Sequence, residues 1–140
     1  MVTTPKLKVR LHRGWRQVEN PNALATYTRG DDSDSGTLQF SLAQFRHGTL
    51  SNTSEQTLIA MCEKLANNVR GQKDKSVGSG KCEFGTFGTV VAKGDSPIRL
   101  QVWVLSNQRE FILVTHTCEK EPDGQEVAEA NEIALMAGCS

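Results

Sequence analysis

The chain has 140 residues, 37% of them hydrophobic, and its 16 Lys and Arg balance 16 Asp and Glu, so that the formal net charge is zero. With glycine added, the apolar share is typical of globular proteins and excludes a disordered chain. The absence of an apolar run of about 18 residues excludes a transmembrane helix. Zero net charge removes the general reason for binding nucleic acid, because affinity for phosphate depends on a basic surface. We expect one folded domain over residues 1–140, with neither membrane nor nucleic acid as its partner.

The N-terminus and the cysteines bear on the cellular compartment. Residues 1–6 contain no apolar stretch of the kind that a signal peptide requires, which favours a cytoplasmic protein. A domain of this size has a core and needs no disulfide staples, so its thiols are expected to be reduced. The cysteines are Cys62, Cys82, Cys118 and Cys139.

Three strands are predicted in the first third of the chain. Leu7–His12 alternates between apolar and polar side chains, which is the period of a strand with one buried face. Ala23–Thr28 and Thr37–Phe45 are predicted as further strands. The loop between them, Arg29–Gly36, carries three aspartates in a turn-rich stretch. A calcium loop is disfavoured there because Leu42 stands where the bidentate glutamate would be, so we predict a solvated turn.

The clearest helix signal follows these strands. Thr53–Gln56 has the sequence of a capping box, in which the threonine hydroxyl accepts a hydrogen bond from the backbone N–H of the glutamine. Apolar residues then recur every three or four positions, and Gly71 supplies a left-handed C-terminal stop. These signals predict a helix over Ser54–Arg70. Its apolar stripe consists of Leu58, Met61, Cys62, Leu65, Ala66 and Val69.

A second helix is predicted over Gly124–Ala137, with Asp123 as its N-cap and Glu126 at the third helical position. Between the two helices, Gln72–Gly80 is polar and contains glycine, which predicts a loop. Lys81–Val91 follows as a strand that glycines interrupt.

A hairpin is predicted from Ile98–Leu105 and Phe111–Cys118, which have the strongest strand signals in the chain. Closure around residues 107 and 108 places Val104 opposite Phe111. One face of this hairpin is plainly apolar and the other is mixed, so both are expected to be covered. The two predicted helices are available for that purpose.

The order of the elements predicts the fold class. Consecutive strands joined by short turns favour a mostly antiparallel sheet over a doubly wound parallel one. The expectation is therefore an α+β domain in which a sheet of five to seven strands is flanked by two helices. The predicted core of the sheet consists of Phe40, Leu100, Val102, Val104, Phe111 and Leu113.

Motifs for catalysis or cofactor binding are weak. Residues 78–82 lack the glycine and hydroxyl positions of a phosphate-binding loop. His116 and Cys118 share one face of a strand and could bind a metal with Cys82 as third ligand, although a buried free cysteine is the favoured interpretation. A Cys118 nucleophile with His116 as its base is disfavoured, because residues two apart on a strand are separated by about 7 Å. We predict neither a metal nor an organic cofactor.

Two classes of function remain open. A non-enzymatic protein-binding or accessory module is favoured, and a small hydrolase or transferase with a site assembled from distant residues is the alternative. Trp and Arg are enriched among the residues that contribute most binding energy in protein interfaces. The hairpin face with Arg99, Trp103 and His116 is therefore a candidate partner surface unless a helix covers it. Trp15 is the competing site and is expected at an exposed edge. The basic residues within Lys6–Arg16 indicate either a solvated edge or a basic binding stripe.

The predicted elements follow one another in a distinctive order. An early hairpin is followed by a helix over Thr53–Val69, then by the strand sequences Gly88–Val91, Gln101–Val104 and Phe111–Thr115, and finally by a helix after Glu121–Asp123. In this order the elements resemble the PsbP-like superfamily, which includes a Ran-binding nuclear import factor and DcrB-type bacterial proteins. The resemblance implies one PsbP-like domain that serves as a binding module, as in photosystem assembly, nuclear transport or bacterial envelope and secretion systems. It carries over no binding residue. Because the envelope members have a signal peptide or lipidated cysteine, which this sequence lacks, a cytoplasmic partner protein is the more consistent expectation.

Overall fold

The computed structural model describes residues 7–19, 25–30, 35–44 and 54–139. The acidic turn at residues 31–34 and Thr53 of the predicted capping box lie outside these ranges. In chain order the elements are β1 (Leu7–Lys8), β2 (Trp15–Val18), β3 (Ala25–Arg29), β4 (Thr37–Gln44), α1 (Glu55–Ala66), β5 (Asp74–Lys81), β6 (Thr86–Lys93), β7 (Arg99–Ser106), β8 (Glu110–Cys118), α2 (Gly124–Leu135) and β9 (Gly138–Cys139).

Seven strands form one antiparallel sheet in the order β2-β3-β4-β8-β7-β6-β5, and β1 pairs with β9 in a separate two-stranded ribbon. Each helix has 12 residues, and neither of the two is long and apolar enough to cross a membrane. The predicted fold class is therefore confirmed: the domain is α+β, with an antiparallel sheet and two helices.

Helix α1 covers one face of the sheet. Its N-cap is Ser54 rather than the predicted Thr53, and the Ser54 hydroxyl accepts from the backbone N–H of Thr57 at 3.2 Å. Its inward residues are spaced four apart and therefore lie on one side of the helix. They pack on β6 and β7, where every second residue faces them. The buried residues of this α1 core are Leu58, Cys62, Ala66, Val69, Val90, Ala92, Leu100, Val102 and Val104.

Helix α2 covers the opposite face, as the mixed hairpin face predicted. The small alanines on its inner side pack in one buried cluster with Trp103, which is fully buried. The buried residues of this α2 core are Trp15, Ala25, Tyr27, Leu38, Phe40, Trp103, Leu105, Ile112, Val114, Ala130, Ile133, Ala134 and Ala137.

Gly88 sets how closely α1 approaches the sheet. A methyl group on Gly88 would lie 2.6 Å from the backbone nitrogen of Ile59 and 2.9 Å from Cβ of Leu58. The atoms in the way include helix backbone, so α1 would have to move as a unit. We expect Gly88→Ala to lower the free energy of unfolding by about 1–3 kcal/mol, the usual cost of overpacking a core. Urea unfolding followed by circular dichroism measures this change.

Gly78 offers a matched control on the neighbouring strand. A methyl group there meets only Cγ2 of Thr89 at 3.4 Å, which is an ordinary contact. Gly78→Ala should change the free energy of unfolding by no more than about 0.5 kcal/mol. Equal effects of the two substitutions would contradict the close approach of α1 to Gly88.

The predicted register of the β7–β8 hairpin is wrong by two residues. Val104 pairs with Leu113 rather than with Phe111, and Ser106 is the partner of Phe111. The reason is that four residues, rather than two, separate the last paired residues Ser106 and Phe111, and Asn107 Oδ1 accepts from the backbone N–H of Glu110 at 2.8 Å. Because strand side chains alternate with period two, a shift of two leaves every residue on its predicted face.

The prediction of a loop over Gln72–Gly80 is also wrong, because Asp74–Lys81 forms the edge strand β5. Its eight residues pair with β6 along their whole length. The strand has no alternating pattern, and its one large apolar residue, Val77, is 56% exposed. Pairing with β6, rather than burial of its own side chains, makes this segment a strand.

Other element boundaries also differ from the predictions: the strand expected over Lys81–Val91 runs from Thr86 to Lys93, and α2 ends at Leu135 rather than Ala137. The strand expected over Leu7–His12 is confined to Leu7–Lys8, and β2 begins at Trp15 after a turn at Gly14, whose φ is +94°. Helix α1 ends at Ala66 rather than Arg70. The two asparagines that follow Ala66 favour helix ends because their side chains compete for backbone hydrogen bonds.

The predicted core is divided between the two sides of the sheet. Leu100, Val102 and Val104 are buried beneath α1, whereas Phe40 is buried in the α2 core. Phe111 and Leu113 are half-buried at the margin of the α1 core. Alternation along β7 and β8 supplies both cores from the same hairpin.

Candidate functional site

Three buried side chains with metal-ligand atoms meet beneath the first turn of α2. His116 and Cys118 come from β8 and Glu126 from α2, and they are 0%, 1% and 4% exposed. His116 Nε2 lies 2.8 Å from Glu126 Oε2, and Cys118 Sγ lies 3.6 Å from His116 Nε2. All three atoms lie within 4.8 Å of one another. We call these three residues the β8–α2 cluster.

Local structure explains how the cluster forms. His116 and Cys118 are two residues apart on β8, so their side chains share the face that α2 covers. Asp123 caps α2 by accepting from the backbone N–H of Glu126 at 2.7 Å. This cap fixes the first turn, and docking of α2 then directs the Glu126 carboxylate toward the sheet.

Gly36, the residue directly before β4, lies against the cluster. Its backbone N–H donates to Glu126 Oε2 at 2.8 Å. A methyl group on Gly36 would lie 2.5 Å from Cys118 Sγ, 2.7 Å from His116 Nε2 and 3.0 Å from Glu126 Oε2. Only glycine permits this approach of backbone to the three side chains. The space beside Gly36 is thus bounded by all three ligand-type atoms.

Electrostatics keep the thiol neutral and the carboxylate charged. Burial, reinforced by the Glu126 carboxylate, raises the pKa of the Cys118 thiol to about 12. Burial alone would also raise the pKa of Glu126. Hydrogen bonds from His116 and from the Gly36 backbone outweigh that effect and hold the Glu126 pKa below its ordinary value. At neutral pH the cluster therefore contains a carboxylate and an unreactive thiol.

Arg99 lies beside the cluster, directly across the β7–β8 pair from Cys118. It is 7% exposed, and its Nη2 donates to Gln101 Oε1 at 3.0 Å. Its Nη1 is buried without a hydrogen-bond partner among the residues that the structure describes. Burial lowers the pKa of the guanidinium, while the nearby acidic groups oppose that shift.

A second set of polar contacts holds the outer side of α2 to the sheet. The Trp15 indole lies tilted against His116, with ring centroids 6.4 Å apart. Trp15 Nε1 donates to Glu129 Oε1 at 2.8 Å, and Arg29 Nε donates to the same oxygen at 3.1 Å. The hydrogen bond from Trp15 is the main reason that the pKa of Glu129 is lowered.

The four residues predicted to bind a partner are all buried. Trp103 is 0% exposed beneath α2, and its Nε1 donates to Asn131 Oδ1 at 3.0 Å. The expectation that Trp15 lies at an exposed edge is wrong, because α2 and β3 cover it and leave 7% exposed. Arg99 and His116 are in the interior as well. Partner binding by these residues stays a prediction, and it would require α2 to move aside.

Sequence reasoning also misjudged the cluster itself. The separation of about 7 Å describes residue positions along a strand, but the side chains converge so that Cys118 Sγ and the His116 ring are 3.6 Å apart. Cys82, the third ligand considered, lies between β5 and β6 at the far end of the sheet. Glu126 takes that place instead. Its position in the first turn was visible in the sequence, but its inward orientation depends on where α2 docks.

An open cleft of about 270 Å³ lies at the other end of β8, beside the β7–β8 loop and the end of α2. It combines two basic side chains with an aromatic ring and a thioether. The residues lining it are Lys8, Arg10, Glu83, Phe84, Asn107, Met136 and Gly138.

Known structures share this architecture over nearly the whole chain. LpqN, described as involved in cell envelope biogenesis of Mycobacterium tuberculosis, matches with a TM-score of 0.65 and 12% identity, covering 98% of this chain and 84% of that one. Cyanobacterial PsbP (CyanoP) from Synechocystis sp. PCC 6803 matches with a TM-score of 0.60 and 10% identity, covering 96% and 92%. The chain has a PsbP-like fold.

A third structure, from Bacteroides thetaiotaomicron, matches with a TM-score of 0.52 and 13% identity, and covers 96% of this chain but 45% of that one. No family model and no curated protein matches the sequence. At these low identities the likeness of the PsbP-like domain to its neighbours is one of fold.

Proposed function

We propose that this PsbP-like domain is a non-enzymatic accessory module that binds a short segment of a partner protein in the cleft between β1 and the β7–β8 loop. The observation that carries the proposal is the chemistry of that cleft. Basic and apolar side chains line it together, whereas the potentially reactive Cys118 and His116 are buried about eight strand residues away.

The charges of the cleft define the partner segment. Lys8 and Arg10 are exposed, neither forms an ion pair with another described residue, and together they outnumber the exposed Glu83 in the lining, which leaves an excess of positive charge. Phe84 and Met136 supply apolar contact beside them, and Met136 is 42% exposed. This combination fits an extended segment that presents an acidic side chain next to a large apolar one, because charge complementarity sets orientation while apolar burial supplies affinity. Two members of the basic stripe considered from the sequence, Lys8 and Arg10, line this cleft.

Catalysis is the less favoured alternative. Among the described residues that line the cleft there is no His, Cys or Ser, so these residues offer no nucleophile with an adjacent base. Cys118 has a thiol pKa of about 12 and no exposure to substrate. A role in assembly or secretion, comparable to that of LpqN in cell envelope biogenesis, is consistent with a binding module.

The proposal is tested with peptides selected against the intact chain from a random display library. We expect selected sequences to share an acidic residue next to an aromatic or aliphatic one, and their addition to shift the backbone amide resonances of Phe84, Asn107 and Met136. The double variant Lys8→Glu, Arg10→Glu should bind the selected peptide at least about tenfold more weakly, which corresponds to about 1.4 kcal/mol.

Lys64→Glu combined with Lys93→Glu is the matched control, since it makes the same charge change at exposed positions on α1 and the far end of β6. This control should bind the peptide with nearly unchanged affinity. An equal loss of peptide affinity in both double variants would show that only the net charge matters, and would contradict binding in the cleft. Amide shifts that cluster on any other surface would contradict it as well.

A further inference from the structure

We propose that the β8–α2 cluster is a zinc site with Cys118 Sγ, His116 Nε2 and Glu126 Oε2 as its ligands. Thiolate, imidazole and carboxylate are the three side-chain ligands that Zn²⁺ takes in proteins. The three residues come from a strand and a helix that are held by pairing and capping, and their ligand atoms all lie within 4.8 Å of one another. This site lies at the opposite end of the domain from the cleft, so the two proposals succeed or fail separately.

The space beside Gly36 marks where the ion would lie. A single point in that space is 2.5, 2.7 and 3.0 Å from the sulfur, nitrogen and oxygen, respectively. Zinc bonds are about 2.3 Å to sulfur and about 2.0–2.2 Å to nitrogen and oxygen. An ion displaced from that point toward the three side chains, away from the Gly36 backbone, approaches these lengths. A side chain at position 36 would occupy this space, and glycine leaves it open.

Two of the spacings between ligand atoms can be compared with tetrahedral coordination. Bonds of those lengths at the tetrahedral angle place sulfur and nitrogen about 3.6 Å apart, and Cys118 Sγ lies 3.6 Å from His116 Nε2. Nitrogen and oxygen would be about 3.4 Å apart, against the 2.8 Å of the present hydrogen bond. The carboxylate and ring must therefore separate by about 0.6 Å, a change that rotation about the Glu126 side-chain bonds can supply.

The protons balance when the hydrogen bond between His116 and Glu126 is replaced by bonds from both residues to the metal. Cysteine binds zinc as thiolate and histidine as the neutral ring. The ion therefore displaces the thiol proton of Cys118 to solvent. The proton of the neutral His116 ring moves from Nε2, where it bonds Glu126 Oε2, to Nδ1, so one proton is released for each ion bound. One thiolate and one carboxylate neutralise Zn²⁺, so the ion leaves no uncompensated charge on the three ligands. A water molecule completes the four-coordinate shell.

Cobalt provides the direct test, because Co²⁺ takes the same ligands and gives optical bands that Zn²⁺ lacks. Metal-free, reduced full-length chain is titrated with Co²⁺ and then with Zn²⁺. We expect one Co²⁺ per chain, a near-ultraviolet thiolate-to-cobalt band, and its loss when Zn²⁺ is added. Cys118→Ser should remove the band and weaken zinc binding at least tenfold, and Zn²⁺ should raise the thermal unfolding midpoint of the wild type but not that of Cys118→Ser.

Cys82→Ser is the control, because Cys82 is the other described thiol on the α2 side and is the third ligand that the sequence suggested. The band should persist in this variant, and its loss there would overturn the assignment. X-ray absorption of the zinc-loaded wild type requires no variant at all and should show one sulfur with nitrogen and oxygen ligands. A shell without sulfur, a shell with two sulfurs, or wild type without the cobalt band would equally overturn the site.

Discussion

Replacing Trp103 with alanine is expected to lower the free energy of unfolding by about 3–5 kcal/mol, the range for removing a large buried aromatic side chain. The residue is fully buried between the sheet and α2, and its indole donates to Asn131 at 3.0 Å. Domains of this size have about 5–15 kcal/mol of stability in total. Urea unfolding monitored by circular dichroism should therefore show a large fall in midpoint.

Two further variants make that result interpretable if Trp103→Ala does not fold. Trp103→Phe keeps a ring in the core and should be less destabilising than alanine. Val77→Ala, at a position 56% exposed on the edge strand β5, should change stability by no more than about 0.5 kcal/mol. If Trp103→Ala had wild-type stability but bound its partner poorly, Trp103 would be a surface contact and the position of α2 would be contradicted.

Glu126→Ala is expected to lower the free energy of unfolding of the metal-free protein by about 3–5 kcal/mol, because it removes one member of a buried pair. His116 Nε2 and the Gly36 backbone N–H, both buried, lose their acceptor. Glu126→Gln should be less destabilising, since its amide oxygen can still accept from Gly36. Chemical unfolding in the presence of a chelator measures both variants without any contribution from bound metal.

Glu132→Gln is the control on the same helix. Glu132 pairs with His12 at 2.8 Å, but its side chain is 58% exposed. Loss of such a surface pair should change stability by about 0–1 kcal/mol. A Glu126→Ala variant no less stable than Glu132→Gln would show that the buried pair does not hold α2 on the sheet.

The pH dependence follows from the lowered pKa of Glu126. The unfolded carboxyl, with its ordinary pKa of 4.5, binds a proton at higher pH than the folded one. Its stabilising contribution is therefore complete above that pH and is lost as pH falls through the lower, folded value. Unfolding free energies measured from neutral to acidic pH should converge for wild type and Glu126→Gln at the acidic end. Parallel curves would contradict the shift.

The helices were predicted well because their signals are local. Asp123 caps α2 as its sequence position indicated, and the apolar spacing of α1 identified its buried side. By contrast, β5 has no local strand signal, since Val77 is its only large apolar residue and is exposed. Its backbone forms a strand because β6 offers a pairing edge. The hairpin register depended on a loop hydrogen bond of Asn107 that residue types alone do not specify.

The candidate site likewise depends partly on local sequence signals and partly on contacts between distant segments. Strand alternation in the sequence was sufficient to place His116 and Cys118 on one face, and the cap was sufficient to place Glu126 in the first turn of α2. Whether those two elements meet depends on the packing of α2 across a seven-stranded sheet, which brings residues ten positions apart to 2.8 Å. Gly36, far away in the sequence, reaches the same space only because β4 pairs with β8. Periodicity and capping are properties of neighbouring residues and can be read from the chain, whereas convergence depends on docking and pairing between distant segments, which only the tertiary structure decided.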